Sequence, residues 1–159
     1  MDRLKEVNVH IGEVKIANKE TQLKALLGSC VGVALIWRKH KLCTLTHCLL
    51  PRSPEPTEEI TGRWVDVAIS SSLRLMQVTR AYHRQIEAIV AGGGNMVQKK
   101  GGSQALVGAS NVDVARETLE RLRIGIVDED VGGDMGRRIL VNGASLEYEI
   151  QHIPRSNEV

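Results

Sequence analysis

The stretch that decides the fold is Leu23-Lys24-Ala25-Leu26-Leu27-Gly28-Ser29-Cys30-Val31-Gly32-Val33-Ala34-Leu35-Ile36-Trp37. It is apolar except at Lys24, Ser29 and Cys30, rich in Val, Leu and Ile, and interrupted by Gly28 and Gly32. Such a run reads as two buried strand pieces flanking a turn at Gly28-Ser29-Cys30. Downstream, Arg38-Lys39-His40-Lys41 is a short basic turn. Leu42 to Leu50 is the next strand, stopped by Pro51, which has no amide hydrogen to give a ladder.

Working outward, Val7 to Ala17 alternate well enough for a first strand or hairpin. Pro51, Ser53, Pro54, Pro56 and Thr57 mark an exposed loop. Trp64 to Tyr82 is expected to be helical, with Val65, Ile69, Leu73 and Met76 sharing one face. A strand Gln85 to Ala91 runs into Gly92-Gly93-Gly94, and Asn95 to Gln104 is polar and glycine-broken, so it reads as a loop. Ser110 or Asn111 is a candidate cap for a second helix burying Ala115, Leu119 and Leu122. Ile124 to Val127 is a short strand, Asp128 to Gly136 a loop, and Asn142-Gly143 the turn of a final hairpin. Strands separated by two amphipathic helices define an α+β fold, an α/β sandwich of mostly antiparallel sheet covered by two main helices. Residues 1–159 read as one domain, a length that suits a single core.

Composition narrows the function. Net charge is only +2, with basic residues interleaved among nineteen acidic ones, which argues against nucleic acid as a partner. The start lacks the apolar core of a secretory signal, and no stretch approaches the ~20 apolar residues of a membrane span. Three cysteines without a CxxC suit a reducing, cytoplasmic setting. No GxGxxG or GxxxxGK[ST] phosphate loop is present, and Asp128-Glu129-Asp130 with Asp134 misses calcium-loop spacing.

The hairpin register then asks which thiols and imidazoles meet. With Arg38 to Lys41 as the turn, Trp37 lies opposite Leu42, and extending the pairing puts Leu49 opposite Cys30. His47, two residues from Leu49, projects on the same face as Cys30. Diagonal neighbours of this kind lie about 7–8 Å apart, within reach of long side chains. Cys43 shares that face but stands about 13 Å from His47 along the strand, and Cys48 points the other way. They cannot converge on one ion at the ~2.0–2.3 Å a zinc site needs, so no metal is expected. A cysteine in an apolar run also reads as a small buried hydrophobe, and His47 as a hydrogen-bonded interior histidine. Gly28 and Ser29 favour a reactive Cys30: they let a substrate approach the backbone, and the Cys30 N–H could help stabilise an oxyanion.

Leu27-Gly28-Ser29-Cys30-Val31 and Thr46-His47-Cys48-Leu49-Leu50-Pro51 resemble the GSC and H-x-x-L-P motifs of the CheD chemoreceptor glutamine deamidases. Trp64-Val65-Asp66, Ala91-Gly92-Gly93-Gly94-Asn95-Met96, Gly108-Ala109-Ser110-Asn111-Val112 and Gly132-Gly133-Asp134-Met135-Gly136-Arg137 resemble further family motifs in the same order. The resemblance implies a cysteine hydrolase converting glutamines of methyl-accepting chemotaxis receptors to glutamate, with Cys30 as nucleophile, His47 as base and no cofactor. It also implies a possible CheC-type phosphatase as partner. The family's threonine six residues before the cysteine is Lys24 here, so the third catalytic position departs from the pattern. Two other classes stay open: a catalytically weakened binding module for chemoreceptors or a CheC-type phosphatase, and a thiol redox sensor using Cys30.

Overall fold

The computed structural model describes residues 3–95 and 103–154. Among these residues, nine strands and two α-helices succeed one another: β1 (Lys5–Asn8), β2 (Val14–Ala17), β3 (Thr21–Leu27), β4 (Val31–Trp37), β5 (Leu42–Cys48), α1 (Val65–Leu75), β6 (Glu87–Gly92), α2 (Ser103–Arg121), β7 (Gly125–Val131), β8 (Gly136–Asn142) and β9 (Tyr148–Ile153). They form a four-stranded sheet β1-β3-β8-β9 and a five-stranded sheet β2-β5-β4-β6-β7. Pairing is antiparallel except between β1 and β3 and between β6 and β7. The fold is therefore α+β, as the sequence predicts.

The decisive run behaves as expected at its centre. β3 buries Leu23, Ala25 and Leu27, while β4 is buried at every position. Gly28-Ser29-Cys30 carries the chain from one sheet to the other. Arg38–His40 make a single 3₁₀ turn closed by Lys41 in the left-handed region (φ 55°), and Trp37 does pair with Leu42.

Two cores result. Val31, Val33, Leu35 and Cys48 on one face of the larger sheet pack with Val65, Ile69, Leu73, Ala115 and Leu119 of the helices. Ala34, Ile36, Cys43 and Leu45 on the other face pack against Leu23, Ala25, Leu27, Ile139 and Val141 of the smaller sheet. The layers are thus helices, large sheet, small sheet. Both helices lie on the large sheet, a narrower cover than predicted for the sheets together.

Other boundaries moved. Val7 to Ala17 is not a hairpin: β1 and β2 join different sheets. α1 stops at Leu75, since Gln77 adopts φ 58° and Arg80–Gln85 continue as 3₁₀. α2 begins at Ser103, so Ser110 and Asn111 lie inside it and cap nothing. The acidic stretch Asp128 to Val131 belongs to β7 rather than to a loop. Its carboxylates are engaged: Asp128 accepts from Tyr148 Oη at 2.7 Å, and Glu129 receives a two-pronged contact from Arg116. Most of the expected Asn95 to Gln104 loop lies outside the described residues.

Candidate active site

The β4–β5 ladder runs from Trp37↔Leu42 to Val31↔Cys48 and puts His47 opposite Gly32. The next rung, Cys30 with Leu49, does not form: the Leu49 N–H donates to the Arg63 carbonyl at 3.2 Å, drawing that strand aside. Face assignment survives this loss. Cys30 packs with Cys43 and Leu45 between the sheets, and these two share the parity of His47 along β5. Cys48 packs on the helix side. Cys30 and His47 are 6% and 5% exposed, at the edge of the inter-sheet core.

The turn carrying Cys30 is held by the glycine turn after β6. Gly93 N–H donates to the Cys30 carbonyl and Gly94 N–H to the Gly28 carbonyl, each at 2.9 Å. At Gly92 (φ 101°) a Cβ would stand 2.3 Å from the Cys30 carbonyl oxygen, so only glycine allows this approach. Buried Arg137 braces the opposite side, its Nη1 donating to the carbonyls of Gly132 at 2.5 Å and Met135 at 3.0 Å. Two of the sequence motifs thus converge behind Gly28-Ser29-Cys30. Among the described residues, the N–H groups of Ser29 and Cys30 meet no acceptor.

His47 is gripped by the segment linking β1 to β2. Its backbone N–H donates to the Glu13 carbonyl at 3.0 Å, and its own carbonyl accepts from Gly12 at 2.8 Å. Its ring Nδ1 lies 2.9 Å from the Val9 carbonyl oxygen. A carbonyl only accepts, so Nδ1 carries the proton and Nε2 presents its lone pair. Sequence reasoning missed Val9, and a backbone carbonyl has no residue-type signature to find. Burial holds the His47 imidazole below its ordinary 6.5, with the Val9 carbonyl and Glu13 acting upward and His10 downward. Burial pushes the Cys30 thiol above its ordinary 9.0. The resting pair is therefore neutral thiol and neutral imidazole rather than the thiolate a nearby positive charge would favour. Among the described residues no hydrogen bond joins the Cys30 sulfur to the His47 ring.

Lys24 stands on the outer face of β3 with Gln22 and Leu26, opposite to buried Leu23 and Ala25. Its ammonium pairs with Glu6 of β1. It also lines, with Asn8, Val9, His10, Ile11, Leu26 and His47, a cavity of about 420 Å³ that opens beside the imidazole. The nearby threonines are committed elsewhere: Thr21 closes a turn with Asn18, and Thr46 binds the Val33 backbone on the helix side. Cys43 and Cys48 are fully buried, with burial pushing their thiols up to about 11 and about 12.

Fold and site together define a two-sheet α+β protein with Cys30 and His47 on the inter-sheet face of its larger sheet. The family description "CheD chemotactic sensory transduction" matches residues 49–152. A "Probable chemoreceptor glutamine deamidase CheD" of Bdellovibrio bacteriovorus is 39% identical over 152 residues, spanning 95% of this chain and 97% of that protein. A "Probable chemoreceptor glutamine deamidase CheD 2" of Ruegeria sp. is 36% identical, spanning 98% and 97%. A "Probable chemoreceptor glutamine deamidase CheD" of Thermococcus kodakarensis is 34% identical, spanning 86% of each chain. The chain belongs to the CheD family. The family match begins just after His47, whereas the alignments with the Bdellovibrio and Ruegeria relatives, spanning 95% and 98% of this chain, extend across both Cys30 and His47.

Proposed function

We propose that this chain is a protein-glutamine deamidase of chemoreceptors, with Cys30 as nucleophile and His47 as general base. The observation that carries the reading is the His47 ring: its Nδ1–H is tied to the Val9 carbonyl, which leaves Nε2 as a base on the face of Cys30. Family membership and the names of the relatives supply the substrate class.

The reaction starts from the neutral pair. As the Cys30 sulfur attacks the glutamine carboxamide carbon, His47 Nε2 takes the thiol proton. The negative oxygen that develops faces the N–H groups of Ser29 and Cys30, which have no competing acceptor among the described residues. Imidazolium returns the proton to the departing nitrogen, ammonia leaves and a thioester remains. A water deprotonated by His47 then hydrolyses the thioester, giving glutamate and the free thiol. Every bond broken is matched, and no cofactor enters. Among the described residues no helix is long and apolar enough to cross a membrane, which suits a cytoplasmic enzyme acting on the receptors' inner portions. The whole chain is read as one deamidase domain, and the family resemblance offers a CheC-type phosphatase as a candidate second partner.

The test is mass spectrometry of a receptor cytoplasmic fragment incubated with wild type, Cys30→Ala and His47→Ala. The wild type should convert glutamine to glutamate with release of ammonia, and both variants should not. Conversion that persists in Cys30→Ala refutes the assignment.

A further inference from the structure

Lys24 takes the place of the family's threonine, yet its side chain is on the outer face of the small sheet, paired with Glu6. β1 is a light edge strand. Lys5, Glu6 and Asn8 are exposed, Val7 is half-buried, and the strand pairs with β3 alone. Its importance lies in the residue just past its end. The N–H of Val9 donates to the carbonyl of Lys24 at 2.7 Å, and the carbonyl of the same Val9 accepts from His47 Nδ1 at 2.9 Å. A continuous relay therefore joins Lys24 to the imidazole through one residue.

We propose that the Glu6–Lys24 ion pair is a positioning clamp for His47: it holds β1 in register on β3 and so fixes the Val9 carbonyl that orients the ring. This deepens the reading of His47 as base and rests on it. Lys24 then serves the third role without touching the reacting atoms. Glu6 and Lys24 sit diagonally across the β1–β3 pair, on one face, at the end nearest Val9. A direct effect of Lys24 on the thiol has no support in the geometry. Its charge is matched by Glu6, and burial alone accounts for the raised Cys30 thiol.

The two mechanisms predict opposite signs for one variant. Under the clamp, Glu6→Gln and Lys24→Met break the same contact. Each should lower kcat on a receptor fragment roughly 2–5-fold with KM unchanged, as expected for a half-exposed pair. The double variant should be no worse than either single one, and the exchange of both residues (Glu6→Lys with Lys24→Glu) should restore the rate. If Lys24 instead acts on the thiol, freeing its charge by Glu6→Gln should raise kcat.

Nitrogen-resolved NMR of the His47 ring supplies a readout that a merely structural role does not move. The Nδ1–H proton should exchange faster with solvent in both single variants and recover in the charge exchange. A rate gain in Glu6→Gln or Lys24→Thr, multiplicative losses in the double variant, or an unchanged Nδ1–H proton each overturns the clamp. The NMR measurement needs no turnover, so a chain that fails to deamidate would sink the functional reading while still deciding this one.

Discussion

Replacing Gly92 by alanine tests whether the glycine turn really holds Cys30 in place. Two costs add at this position. The first is backbone: φ is 101°, where an L side chain costs about 1 kcal/mol. The second is contact: the new Cβ would sit 2.3 Å from the Cys30 carbonyl oxygen, a backbone atom that cannot rotate away. The two segments must part, and the Gly93 N–H to Cys30 carbonyl bond of 2.9 Å is lost in a buried place, costing about another 2 kcal/mol. The total is about 3 kcal/mol. Gly132→Ala is the matched control, because its φ is 78° but nothing lies within 4 Å of its Cβ. Only the backbone cost of about 1 kcal/mol applies there. Urea denaturation of the three proteins measures the difference as a change in midpoint at constant slope. Gly92→Ala should also lower kcat/KM, since Cys30 moves with its carbonyl, whereas Gly132→Ala should not. Equal destabilisation by the two substitutions would refute the close packing of the glycine turn on the cysteine.

Cys43→Ala should cost about 1 kcal/mol by opening a small void between the sheets, yet leave deamidation intact, whereas Cys30→Ser should abolish the activity and keep the fold; urea midpoints and mass spectrometry separate the two. Arg137→Met should cost about 3 kcal/mol, because it strips the carbonyls of Gly132 and Met135 and the Asp130 carboxylate of a buried guanidinium. Arg137→Lys should recover only part of this, having no planar fork, and denaturation midpoints rank the three. The cysteine–histidine pair also gives stability a pH signature. The unfolded imidazole titrates at 6.5 and the buried one lower, so the unfolded chain takes up its proton first as pH falls. This contribution is complete above pH 6.5 and is lost below it, and His47→Gln should flatten that limb in a pH series of urea midpoints. For Cys30 the folded thiol is raised above 9.0, so its contribution is complete below that pH and is lost as pH climbs through the folded value.

How much of the structure is legible in the sequence depends on how local the determining interactions are. The β4–β5 register follows from one short turn and the parity of a strand, and it holds over every rung down to Val31↔Cys48. It fails one rung later, where the Arg63 carbonyl, distant in sequence, captures Leu49. β1 and β2 mislead for the same reason: four-residue edge strands pair with segments that no turn signal announces. Gly108 precedes the expected cap at Ser110 or Asn111, yet it lies inside α2, which passes so close to Gly93 that a Cβ at Gly108 would sit 2.7 Å from the Gly93 carbonyl oxygen. Asp128-Glu129-Asp130 reads as a solvated loop because nothing in the sequence reveals that Tyr148, Arg116 and Arg137 will meet those carboxylates. The candidate pair Cys30 and His47 comes from motif and parity, while Val9 acts through an atom every residue possesses.

The contrast between Cys30 and Cys48 explains why one thiol is a credible nucleophile and its neighbour is not. They flank the same end of the β4–β5 pair, Val31 being the partner of Cys48. Strand parity sends the Cys48 sulfur into the helix-side core, where burial pushes its thiol up to about 12 and its hydrogen bond goes to Thr46. Cys30 lies just beyond the last β4–β5 rung yet keeps the inter-sheet face of Ala34 and Ile36, the face that strand parity also gives His47. A thiol inside the ladder would have its N–H committed to a neighbouring strand and so could not offer it to an oxyanion. Ending β4 at Val31 avoids that commitment, and the glycine turn behind it supplies the rigidity that the missing rung would have given. On the proposed reading, reactivity at Cys30 would follow from where the sheet stops.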